Sequence, residues 1–327
     1  MFRVPFKSIA LESGLSVRTL YRVMNNDVCV TDATRRRAVR ALNKFGYTCL
    51  DQRRNRSVLI NADHSNVFKQ PLALELIKMF SSECSVLLTD CWNERNAFLD
   101  AGSDASVLIS MDAVPETLMA KLRYINPSCV VINLLCGGGG DLAIDSNDFL
   151  GGKLAADHLA DNGHRHVAVV TPLSHSNYVD RMLTFQAQMF YRDPGVRIDF
   201  VNDYHVGQEG PEEFWGRYFR RTRELPTAIF CPLGGLCDHF PYFAEKIASL
   251  SVPEDISIVG YNRPEERGIH TLFQLDSVVY DLKKLIDCCK YYALNPPLSG
   301  IDGTVHTLIE PQLIIQGSVR NLKETIE

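Results

Sequence analysis

Arg18 and Arg22 stand four residues apart in a stretch of helical periodicity, so both guanidinium groups leave the same side of one helix. A guanidinium can donate two hydrogen bonds at once to O6 and N7 of a guanine in the major groove of DNA. Around them Tyr21, Asn25, Thr31, Thr34 and Arg35 carry donors suited to phosphate oxygens, which fix register without reading sequence. Other groupings suggest chemistry but lack the rest of its apparatus. Gly137-Gly138-Gly139-Gly140 has neither the Lys-Ser/Thr of a P-loop nor the G-x-G-x-x-G order ahead of a helix, and reads as a flexible loop. His158, His164 and His166 have metal-like spacing, yet helix-end capping is the stronger reading of them. No Ser/His/Asp set and no carboxylate pair in a strand-loop context argues for catalysis. The chain is therefore expected not to be an enzyme and to need no cofactor or metal.

Three short helices must position the arginines. Phe6, Ile9 and Ala10 recur at helical spacing behind Pro5, which is tolerated at a helix start, and Gly14 breaks this first helix. Ser16 can cap a second, whose apolar face is Val17, Leu20, Val23 and Met24. A cap at Thr31 opens a third, running through Ala33, Val39, Ala41, Leu42 and Phe45 until Gly46 stops it. Two short helices around a Gly-containing turn, braced by a third, form a helix-turn-helix arrangement.

Charge separates this head from the rest. Residues 1–56 hold 12 Lys and Arg against four acids, a net of +8, whereas the other 271 of the 327 residues hold 22 against 35, a net of −13. The −5 of the whole chain thus conceals a polyanion-binding module joined to an acidic body. No run of 18 apolar residues suggests a membrane span, and the N-terminal segment lacks a signal-peptide apolar stretch, so a cytoplasmic protein is expected. The ten cysteines form no C-x-x-C pair, and several sit in apolar runs where Cys behaves as a small hydrophobe, which fits a reduced compartment.

From residue 57 onward short apolar runs alternate with amphipathic ones, the rhythm of a parallel α/β fold. Strands are expected at Val58–Ile60, Ser85–Leu88, Ser106–Ile109, Cys129–Leu134, Val167–Val170, Ile198–Val201, Ala228–Cys231 and Ile256–Val259. Between them, helices are expected at Leu72–Phe80, Pro115–Tyr124, Gly152–Ala160 and Asp281–Tyr292.

The run Ser16-Val17-Arg18-Thr19-Leu20-Tyr21-Arg22-Val23-Met24-Asn25, with Val30, Thr34-Arg35 and Gly46-Tyr47, resembles the headpiece of the LacI/GalR (lactose-repressor) family of bacterial transcription regulators. The resemblance continues through Phe149-Leu150-Gly151-Gly152, Ala155, His158-Leu159, Gly163-His164-Arg165, Arg181, Pro226–Phe230, Val252–Tyr261 and Glu310–Ile314. It implies a helix-turn-helix headpiece at 1–48, a hinge at 49–56 and an effector-binding, dimerising core at 57–327. The implied core is periplasmic-binding-protein-like, with two doubly wound parallel-sheet subdomains and a small molecule in the cleft between them. It further implies that the second helix enters the major groove of operator DNA, with Val17, Arg18 and Arg22 reading bases and Thr19 among the contacts.

Where the family has an Ala-Arg-x-Leu hinge whose Leu enters the minor groove, this chain has Arg53-Arg54-Asn55-Arg56. Arg54 and Arg56 could follow phosphates or a narrow minor groove, or form a solvated linker that supplies only charge. Carried over residue by residue, the effector site comprises Asp63, Phe68, Arg181, Tyr204, Leu233, Asn262 and Arg263. The family's Asn-Asp pair is here Leu233-Gly234 and its Asp-Asp pair is Asn262-Arg263, so Arg263 beside Arg181 favours a sugar acid or phosphorylated sugar over a neutral sugar. The competing readings are a relaxed pocket with no effector, a sugar-binding receptor without DNA, and an enzyme on the same scaffold. Regulation of the family type requires a homodimer, one headpiece per half-site. The absence of leucine heptads after Ser318 argues against a tetramerisation helix.

Overall fold

A computed structural model describes residues 5–24, 30–45, 47, 57–63, 66, 69–82, 84–136, 139–173, 175–205, 208–262, 273–295 and 303–323. Three helices come first: α1 (Phe6–Ser13), α2 (Val17–Met24) and α3 (Asp32–Lys44). Then follow β1 (Ser57–Asn61), α4 (Lys69–Phe80), β2 (Ser85–Thr89), α5 (Arg95–Ser103), β3 (Val107–Ser110), α6 (Glu116–Ile125), β4 (Val130–Leu134) and β5 (Leu142–Ser146). The chain continues through α7 (Asp148–Asp161), β6 (His166–Val170), α8 (Ser176–Arg192), β7 (Arg197–Val201), α9 (Pro211–Arg221), β8 (Ala228–Phe230), α10 (Gly234–Cys237) and α11 (Phe240–Ala248). It closes with β9 (Ser257–Tyr261), β10 (Asp276–Tyr280), α12 (Leu282–Leu294), β11 (Val305–Ile309) and β12 (Pro311–Ile314).

The strands form two six-stranded sheets, in the orders β11-β5-β4-β3-β1-β2 and β12-β10-β9-β8-β6-β7. Parallel pairing dominates: Val58 lies opposite Val86, Val169 opposite Phe230, and Ile229 opposite Ile258. The exception is β12, which runs antiparallel to β10 at a sheet edge, where Pro311 at its first position is tolerated. Central strands such as β8, β9 and β10 are buried throughout, as expected when helices cover both faces of a parallel sheet. All eight expected strands form, with ends shifted by a residue or two. Four more, β5, β10, β11 and β12, escaped the periodicity reading, because LAIDS, DSVVY and VHTLI carry polar residues within short apolar runs.

Packing divides the chain into two compact units, one comprising Met1–Ala62, Ala73–Ile109 and Val114–Val131, the other Asp63–Leu72, Ser110–Ala113 and Ile132–Glu327. In the first, α1–α3 enclose their own core of Ile9, Leu20, Val23, Val30, Ala38 and Leu42, and Leu59, Phe98, Leu108 and Leu122 centre another. The second has an aromatic core in which the Trp215 ring meets those of Phe214 at 5.0 Å and Phe240 at 4.6 Å, and the Trp215 indole N–H donates to the Leu236 carbonyl at 3.0 Å. The eight described cysteines carry free thiols, and among the described residues no helix is long and apolar enough to cross a membrane.

The three spaced histidines take separate structural posts rather than a common one. His158 Nε2 lies 2.7 Å from Asp276 Oδ2, and the other oxygen of Asp276 accepts from the backbone N–H groups of Gln316, Gly317 and Ser318. Burial alone would raise the Asp276 pKa, but the His158 bond and these three donors hold it below the usual carboxylate range. His166 bonds Asp199 at 2.7 Å. His164 is buried, with Nδ1 2.9 Å from Thr227 Oγ1 and Nε2 3.1 Å from the Arg320 carbonyl, so it ties the C-terminal segment to the sheet. Burial pulls its pKa down to about 4. Below pH 6.5 the unfolded chain takes up a proton that the folded chain refuses, so stability falls between pH 6.5 and 4, by roughly 3 kcal/mol from this group. Urea unfolding at pH 7.5 and 4.5 should show a smaller acid loss for His164→Gln than for the parent chain.

Candidate functional site

The headpiece is built by caps. Ser16 Oγ accepts the Thr19 N–H at 2.9 Å and starts α2, and Gly14 ends α1 at φ +63°, a left-handed conformation that a side chain would strain. Arg37 donates to the Ser13 carbonyl at 2.9 Å, so one headpiece arginine completes α1. Leu20 and Val23 face the core, which turns Arg18 and Tyr21 outward and leaves Val17, Thr19 and Arg22 half-buried. Tyr21 is stacked on Phe6 (ring centroids 4.6 Å apart), and Phe6 also meets Tyr47 at 4.9 Å. The Thr19 hydroxyl is engaged with Ser16 at 2.7 Å, and Thr31 with Thr34 at 2.9 Å. Arg35 differs from the surface role expected of it: only 8% exposed, it belongs to the interior of the headpiece. Asn25, Arg54 and Arg56 lie outside the described residues.

The second unit gathers the residues expected to hold an effector. Arg181, in the second turn of α8, is 5% exposed and fully engaged on one side. Its Nε donates to Asp148 Oδ1 at 2.8 Å, its Nη1 donates to the Pro232 carbonyl at 2.9 Å, and its guanidinium lies 3.7 Å from the Tyr261 ring centroid. Tyr261 in turn donates to the same Asp148 oxygen at 3.0 Å. Burial pushes the Asp148 carboxyl up while Arg181 opposes it, and burial likewise raises the Tyr261 hydroxyl. Gly151-Gly152 makes the cluster possible. A Cβ on Gly151 would lie 2.2 Å from Tyr261 Oη, and one on Gly152 would lie 2.3 Å from the Arg181 carbonyl oxygen. Only bare backbone lets α7 approach α8 this closely.

His175, at the start of α8, accepts the Asn177 N–H through Nδ1 at 3.4 Å. Burial lowers its pKa, and the charges of Arg181 and Lys69 lower it further against Asp148 and Asp145, which places these four charges within reach of one imidazole. Lys69 forms an ion pair with Asp112, whose other oxygen accepts the Asp63 N–H at 2.7 Å, and His306 bonds Asp145 at 2.8 Å. Tyr204 is half-buried with its ring edge on Phe214, 5.3 Å away, and the preceding Asp203 is held by Arg221 at 2.8 Å. Leu233 packs against the aromatic core. Asn262 follows β9 at φ +58°; its N–H donates to the Val278 carbonyl at 2.8 Å, and its side-chain Oδ1 is buried with no hydrogen-bond partner among the described residues. Phe68 and Arg263 lie outside the described residues.

Sequence reasoning missed Asp148, Tyr261, His175 and the Lys69–Asp112 pair. A signal for Asp148 was present: a carboxylate three residues ahead of Gly151-Gly152 stands at the first turn of the helix those glycines press against α8. Arg181, expected to act with Arg263 on an anion, faces Asp148 in the structure.

Three helices of helix-turn-helix type precede, in chain order, two doubly wound sheets of periplasmic-binding-protein-like architecture. The Periplasmic binding protein-like domain family matches residues 156–286. The HTH-type transcriptional repressor PurR of Histophilus somni (strain 2336) is 24% identical, covering 97% of this chain and 99% of its own. The HTH-type transcriptional regulator DegA of Bacillus subtilis (strain 168) is 25% identical over 78% of this chain and 80% of its own. Among solved structures, a LacI family transcriptional regulator from Enterococcus faecium with bound ribose aligns at TM-score 0.68 and 18% identity, covering 82% of this chain and all of its own. The lac repressor dimer bound to operator and the anti-inducer ONPF aligns at TM-score 0.62 and 16% identity, covering 98% of this chain and all of its own. The chain is thus similar over nearly its whole length to transcription regulators of this kind, and shares their fold.

The close approach at Gly152 is open to test. Gly152→Ala should push α7 off α8 and lower stability by about 1–3 kcal/mol, as overpacking of a close interior contact does. The measurement is the shift of the calorimetric unfolding midpoint.

Proposed function

We propose that the chain is a sequence-specific transcription regulator that binds double-stranded operator DNA as a homodimer and changes operator affinity when a small polyhydroxylated ligand binds its core. The observation that supports ligand control is Asn262. A buried carbonyl oxygen without a donor costs about 1–3 kcal/mol, and a ligand hydroxyl removes that cost. The ligand class follows from the charges. Among the described residues Arg181 faces Asp148 and Lys69 faces Asp112, and His306 hydrogen-bonds Asp145, so carboxylates already balance the two cations. Hydroxyl groups can exchange hydrogen bonds with such pairs without adding charge, whereas an anionic sugar would meet three carboxylates. A neutral sugar is the reading we adopt within the range the sequence left open. The ribose bound in the Enterococcus faecium regulator is consistent with it.

On this reading the headpiece is residues 1–48, the Arg-rich joint 49–56 and the effector core 57–327. Arg18 and Arg22 read bases from α2, with Val17, Thr19, Tyr21, Thr31 and Thr34 beside them, and Arg35 acts by packing the headpiece. The homodimer has a surface to cover: β2 is an edge strand with Leu87 47% and Leu88 39% exposed, and Leu74 on α4 is 56% exposed. An open apolar edge pairs or aggregates unless something covers it, and a second copy of the chain is that cover. Ligand then acts by population shift, favouring one arrangement of the paired headpieces over another.

Two measurements test the proposal. Operator sequences selected from random DNA and titrated by fluorescence anisotropy should bind Arg18→Ala roughly tenfold or more weaker than the parent chain, as loss of one bidentate base contact requires. Equal affinity at low salt would remove Arg18 from the interface. In a thermal-shift screen, ribose and glucose should raise the unfolding midpoint while glucose 6-phosphate and gluconate do not, and Asn262→Ala should lose most of the shift. A response to the anions alone would reverse the ligand class.

A further inference from the structure

The second unit holds a cavity whose described lining includes none of the expected effector residues. It occupies about 260 Å³ where α8 passes over the carboxyl ends of β6 and β7, with Val169, Met182 and Phe200 among its walls. β7 is the edge strand of its sheet, so nothing beyond it completes the wall, and Leu173 (50% exposed) and Phe200 (46% exposed) stand at the mouth. Arg181 and Met182 are successive residues on α8, about 100° apart around its axis. Arg181 is held by Asp148 and Pro232, whereas Met182 lines this cavity.

The lining determines what fits. Among the described residues no charged side chain contributes to it, so a charged ligand would be desolvated without compensation from them. Three polar side chains do contribute: Thr171, Gln186 and Asn202. Thr171 is 1% exposed and its hydroxyl proton goes to the Pro172 carbonyl at 3.2 Å, so what it offers is a lone pair. The carboxamides of Gln186 and Asn202 have no hydrogen-bond partner among the described residues, and each brings a donor and an acceptor. Apolar walls with a few convergent polar groups are the ordinary make-up of a ligand pocket, and this volume, below the 300–1,000 Å³ of drug-sized sites, suits roughly eight to twelve non-hydrogen atoms.

We propose that this cleft is a small-molecule site, lined by none of the expected effector residues, that takes a neutral single-ring aromatic alcohol with its ring between Met182 and Phe200 and its hydroxyl donating to Thr171 and accepting from the Gln186 carboxamide. The test is isothermal titration of the full chain with p-cresol, toluene and p-hydroxybenzoate. p-Cresol should bind saturably at one site per chain. Toluene, which lacks the hydroxyl, and p-hydroxybenzoate, which adds a charge, should each bind roughly tenfold or more weaker, the size of one lost hydrogen bond to a buried partner. Met182→Trp, which fills the cavity, should abolish binding. Gln186→Leu keeps the helix and the apolar wall, and should weaken binding several-fold even if the tryptophan variant does not fold. Absence of saturable p-cresol binding, equal binding of toluene or p-hydroxybenzoate, or unchanged affinity in Gln186→Leu would each overturn the proposal. Because the readout is calorimetric and uses no DNA or sugar, its failure leaves the regulator reading untouched.

Discussion

The ion pair between Asp148 and Arg181, lidded by Tyr261, is the interaction on which the second unit of this protein depends. Two charges removed from water are stable only with good geometry and their remaining hydrogen-bonding capacity satisfied. Here the Tyr261 hydroxyl adds a second donor to Asp148, and the Pro232 carbonyl takes a second N–H of Arg181. Removing one partner of such a pair leaves an uncompensated buried charge, typically costing 3–5 kcal/mol. The pair therefore ties α7, α8, the end of β9 and the segment after β8 into one arrangement.

That arrangement rests on backbone rather than side chains. Gly151 and Gly152 bring α7 within contact of Tyr261 and of the α8 main chain, and the stacked rings of Phe185 and Phe230, 4.6 Å apart, seat α8 on the sheet. With the charges balanced inside the protein, what remains for a ligand is hydrogen bonding. Asn262 Oδ1 is the clearest such opening, held in a left-handed backbone conformation that Asn tolerates better than most residues. The headpiece follows the opposite economy. Among the described residues its core holds six buried side chains, so capping at Ser16 and Gly14 and the Arg37 bond to Ser13 contribute a larger share of its stability, while Arg18 stays exposed.

Much of this was legible in the residues. The three headpiece helices show in apolar spacing, in Ser and Thr caps and in a Gly stop, all local effects. The alternation of the body shows because buried parallel strands are nearly continuous apolar runs. Strands β5, β10, β11 and β12 were hidden because partners distant in the chain make polar residues acceptable within them: Asp276 opens β10 as a buried carboxylate only because His158 and the turn at residues 316–318 supply its donors. Arg181 was legible as a notable cation, but its partner Asp148 was not. Arg35 was legible as a cation, but not as a buried one.

The sequence by itself determined the division between a basic helical head and an acidic α/β body, and the presence of Arg18 and Arg22 on one side of a short helix. These follow from periodicity and charge count, which involve only neighbours in the chain. Only the tertiary structure decided how those charges are used. Asp148 and Arg181 are 33 residues apart and meet because glycine backbone lets α7 touch α8, and that meeting makes the arginine half of a buried ion pair. Electrostatic character at a buried site depends on every charge within a few ångströms, and which charges those are is a property of the fold.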